Sequence, residues 1–194
     1  GVTEDPALNL AFSYLSYLGT PTRSAEEIAQ QMYQLACGFN MGSGSTTTSI
    51  SVNGLAENMP QAMEIVEDLA YNAIPDEAIL ANLKADMFKS RRDAKLSQSS
   101  CFSALQAYVL YGPEYIQKTT MTDKQIQALT SEELLAKVRD ILGCQHEIRY
   151  YGPASEAKAA ELLEANHTIA EDLKPLEKQY IKYQTVDKGK VYLA

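Results

Sequence analysis

The side chains able to do acid–base, nucleophilic or metal chemistry are few and scattered in this sequence. Its two histidines, His146 and His167, stand 21 residues apart. Two imidazoles on one helix hold a metal ion at i and i+4, so this spacing offers no local metal site. Both are read as satisfied surface or strand-end histidines. Cys37, Cys101 and Cys144 are odd in number, widely spaced and set in apolar surroundings, as small buried hydrophobes are and a disulfide framework is not. "SQSSCFS" gathers Ser97, Ser99, Ser100 and Cys101. A hydroxyl or thiol nucleophile needs a base, and no histidine is close in sequence, so capping residues at a helix start are the favoured reading. "KSRRDAK", Lys89 to Lys95, reads as a solvated helix face with Asp93 in i,i+4 range of Lys89. The sharper reading has Arg91 or Arg92 holding peptide carboxylates or a neighbouring domain. Gly42 and Gly44 precede neither a Lys-Ser/Thr pair nor a helix, so they fit a hairpin turn and not a phosphate cradle. Tyr14, Tyr17, Tyr108, Tyr111, Tyr150 and Tyr151 fit the edge of a core, an aromatic lining being the alternative.

The elements that must position these residues follow from periodicity. Leu8, Leu10, Ala11, Tyr14, Leu15 and Leu18 recur at helical spacing, giving a helix from Pro6 to Leu18 that Gly19 stops in a left-handed turn. Ser24 and Glu27 form a capping box for a second helix carrying Ile28, Met32 and Leu35, which Gly38 ends. "GFNMGSGSTTTSISVNGL" reads as two strands joined at Gly42–Ser45, with Thr46, Thr48, Ile50 and Val52 on one face and Thr47, Ser49, Ser51 and Asn53 on the other. Helices are expected over Asn58–Tyr71, with Met63, Val66, Leu69 and Ala70 buried, over Asp76–Ser97, and over Cys101–Leu110, closed by Gly112-Pro113. Thr122–Leu129 is a short helix, and Thr130 with Glu133 opens another that runs to Leu142 and closes at Gly143. "HEIRYYG", His146 to Gly152, reads as a strand and Ala154–Ala165 as a final helix. This order predicts an α+β fold, an α/β-roll with helices packed on one face of a mostly antiparallel sheet. A doubly wound parallel sheet would need strand–helix–strand repeats that are absent from the pattern.

The layout resembles the domain of insulinase/pitrilysin-type zinc peptidases, the inverted H-x-x-E-H family. There the zinc helix is followed by Leu-Gly-Thr, a loop and a capped helix. "LAFSYLSYLGT" stands in that register, and "PTRSAEEIAQQMYQLACGFNMGSGSTTTSISVNGLAENMPQAMEIVEDL" is similar to the family's second helix, strand pair and third helix. "YGP", Tyr151 to Pro153, sits where the late strand ends, and the resemblance spans Pro6 to His167. It implies two His ligands and a Glu base at Leu10, Ser13 and Tyr14, none of which can serve. Leu10 has no lone pair, Ser13 is no base near neutral pH, and a phenol is a rare zinc ligand. A third ligand would come from "KADMFKSRRD", where Asp86 is the nearest acid. The expectation is therefore no catalytic residue, no metal ligand and no cofactor in this chain, with substrate-binding residues unassigned. Large family members resemble four related units around a chamber, one holding zinc, and this chain is most similar to the third. The family's Arg and Tyr seven residues apart, which belong to the fourth unit, are absent here.

The totals agree. The chain has 194 residues, 45% of them hydrophobic, and a net charge of −8, which disfavours nucleic acid as a partner. No apolar run approaches the roughly 20 residues of a membrane span. No secretory leader starts the sequence, and cytoplasm and bacterial periplasm both stay open. Residues 1–167 are expected to form the insulinase-like domain. Residues 168–194 are expected to form a linker and, in "KVYLA", the first strand of a following domain in a longer chain. The resemblance implies a substrate-chamber-forming domain of a zinc metallopeptidase. Its partners would be the other domains of its parent chain and a peptide, with zinc supplied by a sister domain. The alternative is a domain of an inactive pseudopeptidase acting as a scaffold or assembly subunit.

Overall fold

The computed structural model describes residues 5–44, 47–175, 189 and 191. Helices α1 (Pro6–Leu15) and α2 (Ala25–Gln34) lead into strands β1 (Cys37–Ser43) and β2 (Thr48–Gly54). A 3-10 turn, Ala56–Asn58, precedes α3 (Met59–Asn72) and α4 (Glu77–Leu96). Then come α5 (Gln98–Thr119), α6 (Asp123–Ala128), α7 (Ser131–Leu142) and α8 (Glu156–Asn166). β1 and β2 pair antiparallel, Phe39 opposite Val52 and Met41 opposite Ile50. This is the α+β class expected from the sequence, with the sheet reduced to one hairpin among the described residues.

One core joins the elements. Leu8, Leu10, Ala11, Tyr14 and Leu15 of α1 meet Ile65, Val66 and Leu69 of α3, Leu80 of α4 and Leu134 and Val138 of α7. Phe39, Met41, Ile50 and Val52 pack against it from one face of the hairpin, while Ser49, Ser51 and Asn53 are exposed on the other. This is the period-2 alternation expected of a half-buried strand. Thr46 and Ser45 of the expected hairpin, and the expected strand at "KVYLA" apart from Val191, lie outside the described residues. No described helix is long and apolar enough to cross a membrane.

Three local expectations are corrected and a fourth is extended. α1 ends at Leu15, and Gly19 has no left-handed φ. What it needs is space: a Cβ there would meet the Arg23 carbonyl oxygen at 2.6 Å and the Ser24 Cα at 3.0 Å. α2 ends before Gly38, at Gln34, and the positive φ (49°) falls on Ala36. The helix expected over Cys101–Leu110 breaks at Gly112-Pro113 as expected, but a second helix follows directly. Gly112 alone leaves helical geometry (φ 81°, ψ 175°), and the chain resumes its helix to Thr119. Pro113 thereby begins a new first turn, where its missing N–H costs nothing. Among the described residues His146–Gly152 pairs with no strand. Cys144 makes one parallel bridge with Lys174, and residues 145–149 are exposed without a described partner strand. Extended backbone becomes a strand only when a neighbour takes its hydrogen bonds.

Candidate functional site

The face of α1 where the resemblance would put a metal is built as follows. Asp5 caps the helix, its carboxylate accepting from Ala7 N, and Pro6 occupies the first turn. Leu10 and Tyr14 are buried, 5% and 0% exposed, and point into the core. The Tyr14 hydroxyl accepts from the backbone N of Asp76 at 2.6 Å and donates to the Asp76 carbonyl at 3.0 Å. Asp76 is the N-cap of α4, its side chain accepting from Ala78 N and Ile79 N. The phenol thus clamps the start of the long helix onto α1 and is spent doing so. Ser13 is exposed. Asp86 lies on the exposed side of α4. Among the described residues no group of three or more His, Cys, Asp or Glu side chains is placed to hold a metal ion. The α1 residues do not fit a zinc ion.

What remains beside α1 is a cleft of about 190 Å³ lined by Phe12, Ser13, Ser16, Phe39, Asn40 and Met41. One wall is the outer edge of β1. The side-chain amide of Asn9 binds that edge at Ser43, donating to its carbonyl at 2.6 Å and accepting from its N–H at 2.8 Å. It mimics a strand's peptide group. In an antiparallel ladder backbone groups alternate in direction, so the N–H and C=O groups of Phe39 and Met41 face the same way as those of Ser43, away from β2. Outside the hairpin ladder, no described backbone hydrogen bond uses them. An unpaired strand edge is a template for an extended peptide.

The Leu-Gly-Thr segment after α1 holds this frame together. Leu18 and Thr20 are 2% and 6% exposed. Thr20 Oγ1 donates to Asp68 Oδ2 at 2.9 Å, and Arg23 spans Asp68 at 2.8 Å and Glu64 at 2.9 Å. Burial pushes the Asp68 carboxyl up, but hydrogen bonds from Asn72, Thr20, Thr22 and Arg23 outweigh it and hold the group below the usual carboxylate range. The hydrogen bond to Glu64 is the largest influence on Arg23 and raises its already high pKa.

The remaining candidates resolve plainly. Arg91 turns inward, to Asp123 at 2.5 Å and the Met121 carbonyl at 2.7 Å, tying α4 to the start of α6. Arg92 is exposed. Ser97 is the N-cap of α5, accepting from Ser100 N. The three cysteines are unpaired and half-buried, more open than small core residues. Sequence reasoning missed the β1 edge left unpaired among the described residues, the Asn9 clamp and the meeting of the two histidines. None of these has a local signal, since each joins residues far apart in sequence.

Comparison with known proteins fits this geometry. No protein-family model matches the chain. An uncharacterized zinc protease of Rickettsia felis is 28% identical over 79 residues, 41% of this chain and 19% of that protein. Among solved structures, a mutant of the ferredoxin protease FusC in complex with Arabidopsis ferredoxin matches with a TM-score of 0.71 at 10% identity, covering 91% of this chain and 20% of that one. The periplasmic protease PqqL from Escherichia coli matches with a TM-score of 0.67 at 16% identity, covering 92% and 20%. A peptidase M16 inactive domain from Pseudomonas fluorescens matches with a TM-score of 0.58 at 21% identity, covering 71% and 34%. The chain has the fold of these peptidase domains. The insulinase-type resemblance seen in the sequence is borne out, and one structural neighbour is itself an inactive domain. The chain spans about a fifth of the length of the zinc protease and of the two larger structures it matches.

Proposed function

We propose that this domain is a non-catalytic wall of a peptidase chamber, most like the first unit of such a protein's second half. It holds an extended peptide that a zinc-bearing sister domain cleaves. The observation that supports this reading is that the α1 positions aligned with the metal motif have structural work. Leu10 fills the core, and the Tyr14 hydroxyl is committed to both backbone groups of Asp76. The outer edge of β1 supplies what a wall needs. An extended peptide laid beside Phe39 and Met41 gains main-chain hydrogen bonds without regard to its sequence, with Phe12, Ser13 and Ser16 beneath it. Fixing the peptide in one register lowers the entropic cost of cleavage elsewhere, so a wall contributes rate without chemistry. Partners are thus the other domains of the same chain and a peptide.

A second reading is a pseudopeptidase, in which every unit has lost its zinc and the fold serves as scaffold. The inactive domain among its structural neighbours favours keeping it. One experiment separates the two: peptide hydrolysis by the full-length parent, with and without chelator. The chamber reading expects hydrolysis that the chelator abolishes and that a proline at Met41, which blocks edge pairing, reduces. Absence of any chelator-sensitive hydrolysis supports the scaffold.

A further inference from the structure

The two histidines meet in the fold. His146, in the extended segment after α7, and His167, the C-cap of α8, place their Nε2 atoms 2.9 Å apart with ring planes at 85°. The second nitrogen of each ring is taken by an atom that accepts. His146 Nδ1 lies 2.8 Å from the carbonyl oxygen of Cys144, and His167 Nδ1 meets the carboxylate of Glu67. Both bonds require the proton on Nδ1. Two neutral rings would then bring two Nε2 lone pairs together, so the contact calls for a positive charge between them, either a shared proton or a metal cation.

Metal-ligating histidines have this form. One nitrogen faces the ion, and the other donates its N–H to a carboxylate or backbone carbonyl, which fixes ring and tautomer. Glu67 is itself anchored, accepting from Thr168 N at 3.0 Å. The spacing selects the ion: with metal–nitrogen bonds of about 2.0–2.1 Å, a 2.9 Å separation subtends about 90°. That is tighter than a tetrahedral site and suits adjacent corners of a tetragonal one, the preference of Cu²⁺ and Ni²⁺. There is room for water to complete the shell. His146 is exposed, and His167 borders a groove of about 590 Å³ whose charged walls are Glu64, Glu67, Asp68 and Arg23, acidic on balance. On the other side Lys174 is paired with Asp140, and Arg149 with Glu147, so neither cation is aimed at the pair.

We propose that His146 and His167 form a two-imidazole site for Cu²⁺ or Ni²⁺, with Glu67 as the positioning residue for His167. The ion ties the segment after α7 and the end of α8 to α3. This site is separate from the α1 face and does not depend on the chamber reading.

The test is calorimetric titration of the tag-free chain with Ni²⁺ beside its His146→Gln and Glu67→Gln variants, with imidazole ¹⁵N spectra of all three. The expected result is one site that requires His146 and weakens about tenfold in Glu67→Gln. In the spectra both rings are Nδ1–H tautomers, the His167 tautomer shifts in Glu67→Gln, and Ni²⁺ broadens both rings together. Exposed His146 makes its variant a mild one. Should it fail to fold, joint broadening of both rings in the unaltered chain supports the site, and broadening of one ring alone overturns it. No Ni²⁺ binding, equal binding in His146→Gln, or an Nε2-bound proton that the metal does not displace would each overturn the proposal.

Discussion

Tyr14→Phe tests whether α1 has exchanged metal chemistry for architecture. The substitution keeps the buried ring and removes one oxygen. That oxygen makes two bonds to Asp76, at 2.6 and 3.0 Å, inside a residue of 0% exposure. The Asp76 carbonyl keeps a second partner, Leu80 N at 3.1 Å, so the main loss falls on the Asp76 N–H. An ordinary hydrogen bond contributes about 1 kcal/mol net, and a buried donor left unpaired costs about 1–3 kcal/mol, so the expected loss is about 1–3 kcal/mol. In a chain of this size that lowers Tm by about 2–4 °C per kcal/mol. Urea and thermal unfolding followed by circular dichroism measure the loss, and hydrogen exchange locates it at the Asp76 amide. Unchanged stability with unchanged exchange at Asp76 would refute the reasoning, because the hydroxyl would then be idle and free for other work.

Three further substitutions probe the same frame. Ser131 Oγ is buried without a hydrogen-bond partner, so Ser131→Ala should leave stability unchanged or raise it by about 1 kcal/mol in urea unfolding. Gly19→Ala drives a Cβ into the Arg23 carbonyl and should cost more than about 1 kcal/mol, with the loss concentrated in exchange of the Thr20 and Ile74 amides that bond across this turn. Asp68→Asn should destabilise at neutral pH and lose its effect in acid. The folded Asp68 sits below its ordinary value, so its stabilisation is present above the unfolded pKa of about 3.9 and fades as pH falls through the lower folded value. Unfolding curves of both proteins from pH 2 to 7 should therefore converge at the acid end, and a constant gap would contradict the assignment.

The caps and the hairpin are legible in the sequence because their signals are local. Ser24 with Glu27 and Thr130 with Glu133 form the expected reciprocal boxes, and Ile50 and Val52 alternate with polar neighbours as expected. The absence of the zinc-motif residue types from α1 is equally legible, since such a motif is a pattern of side chains within five residues. The features that escape the sequence are long-range. A strand at His146–Gly152 depends on a neighbour that no stretch of its own sequence specifies. Gly112-Pro113 breaks the helix as its residue types suggest, but the second helix that Pro113 starts is not legible from them. Gly19 looks like a conformational stop, but a carbonyl four residues on makes it necessary. The candidate site divides in the same way. The mismatch of Leu10, Ser13 and Tyr14 with a zinc motif is readable from the sequence, while the β1 edge left unpaired among the described residues and the Asn9 clamp belong to the folded chain.

The most direct measurement is backbone NMR of the labelled chain with an extended peptide and added Zn²⁺, with the peptide's integrity followed alongside. The account predicts shifts at the Phe39 and Met41 amides with the peptide intact throughout. Cleavage of the peptide that disappears on Ser13→Ala, or binding that bypasses β1, would contradict it.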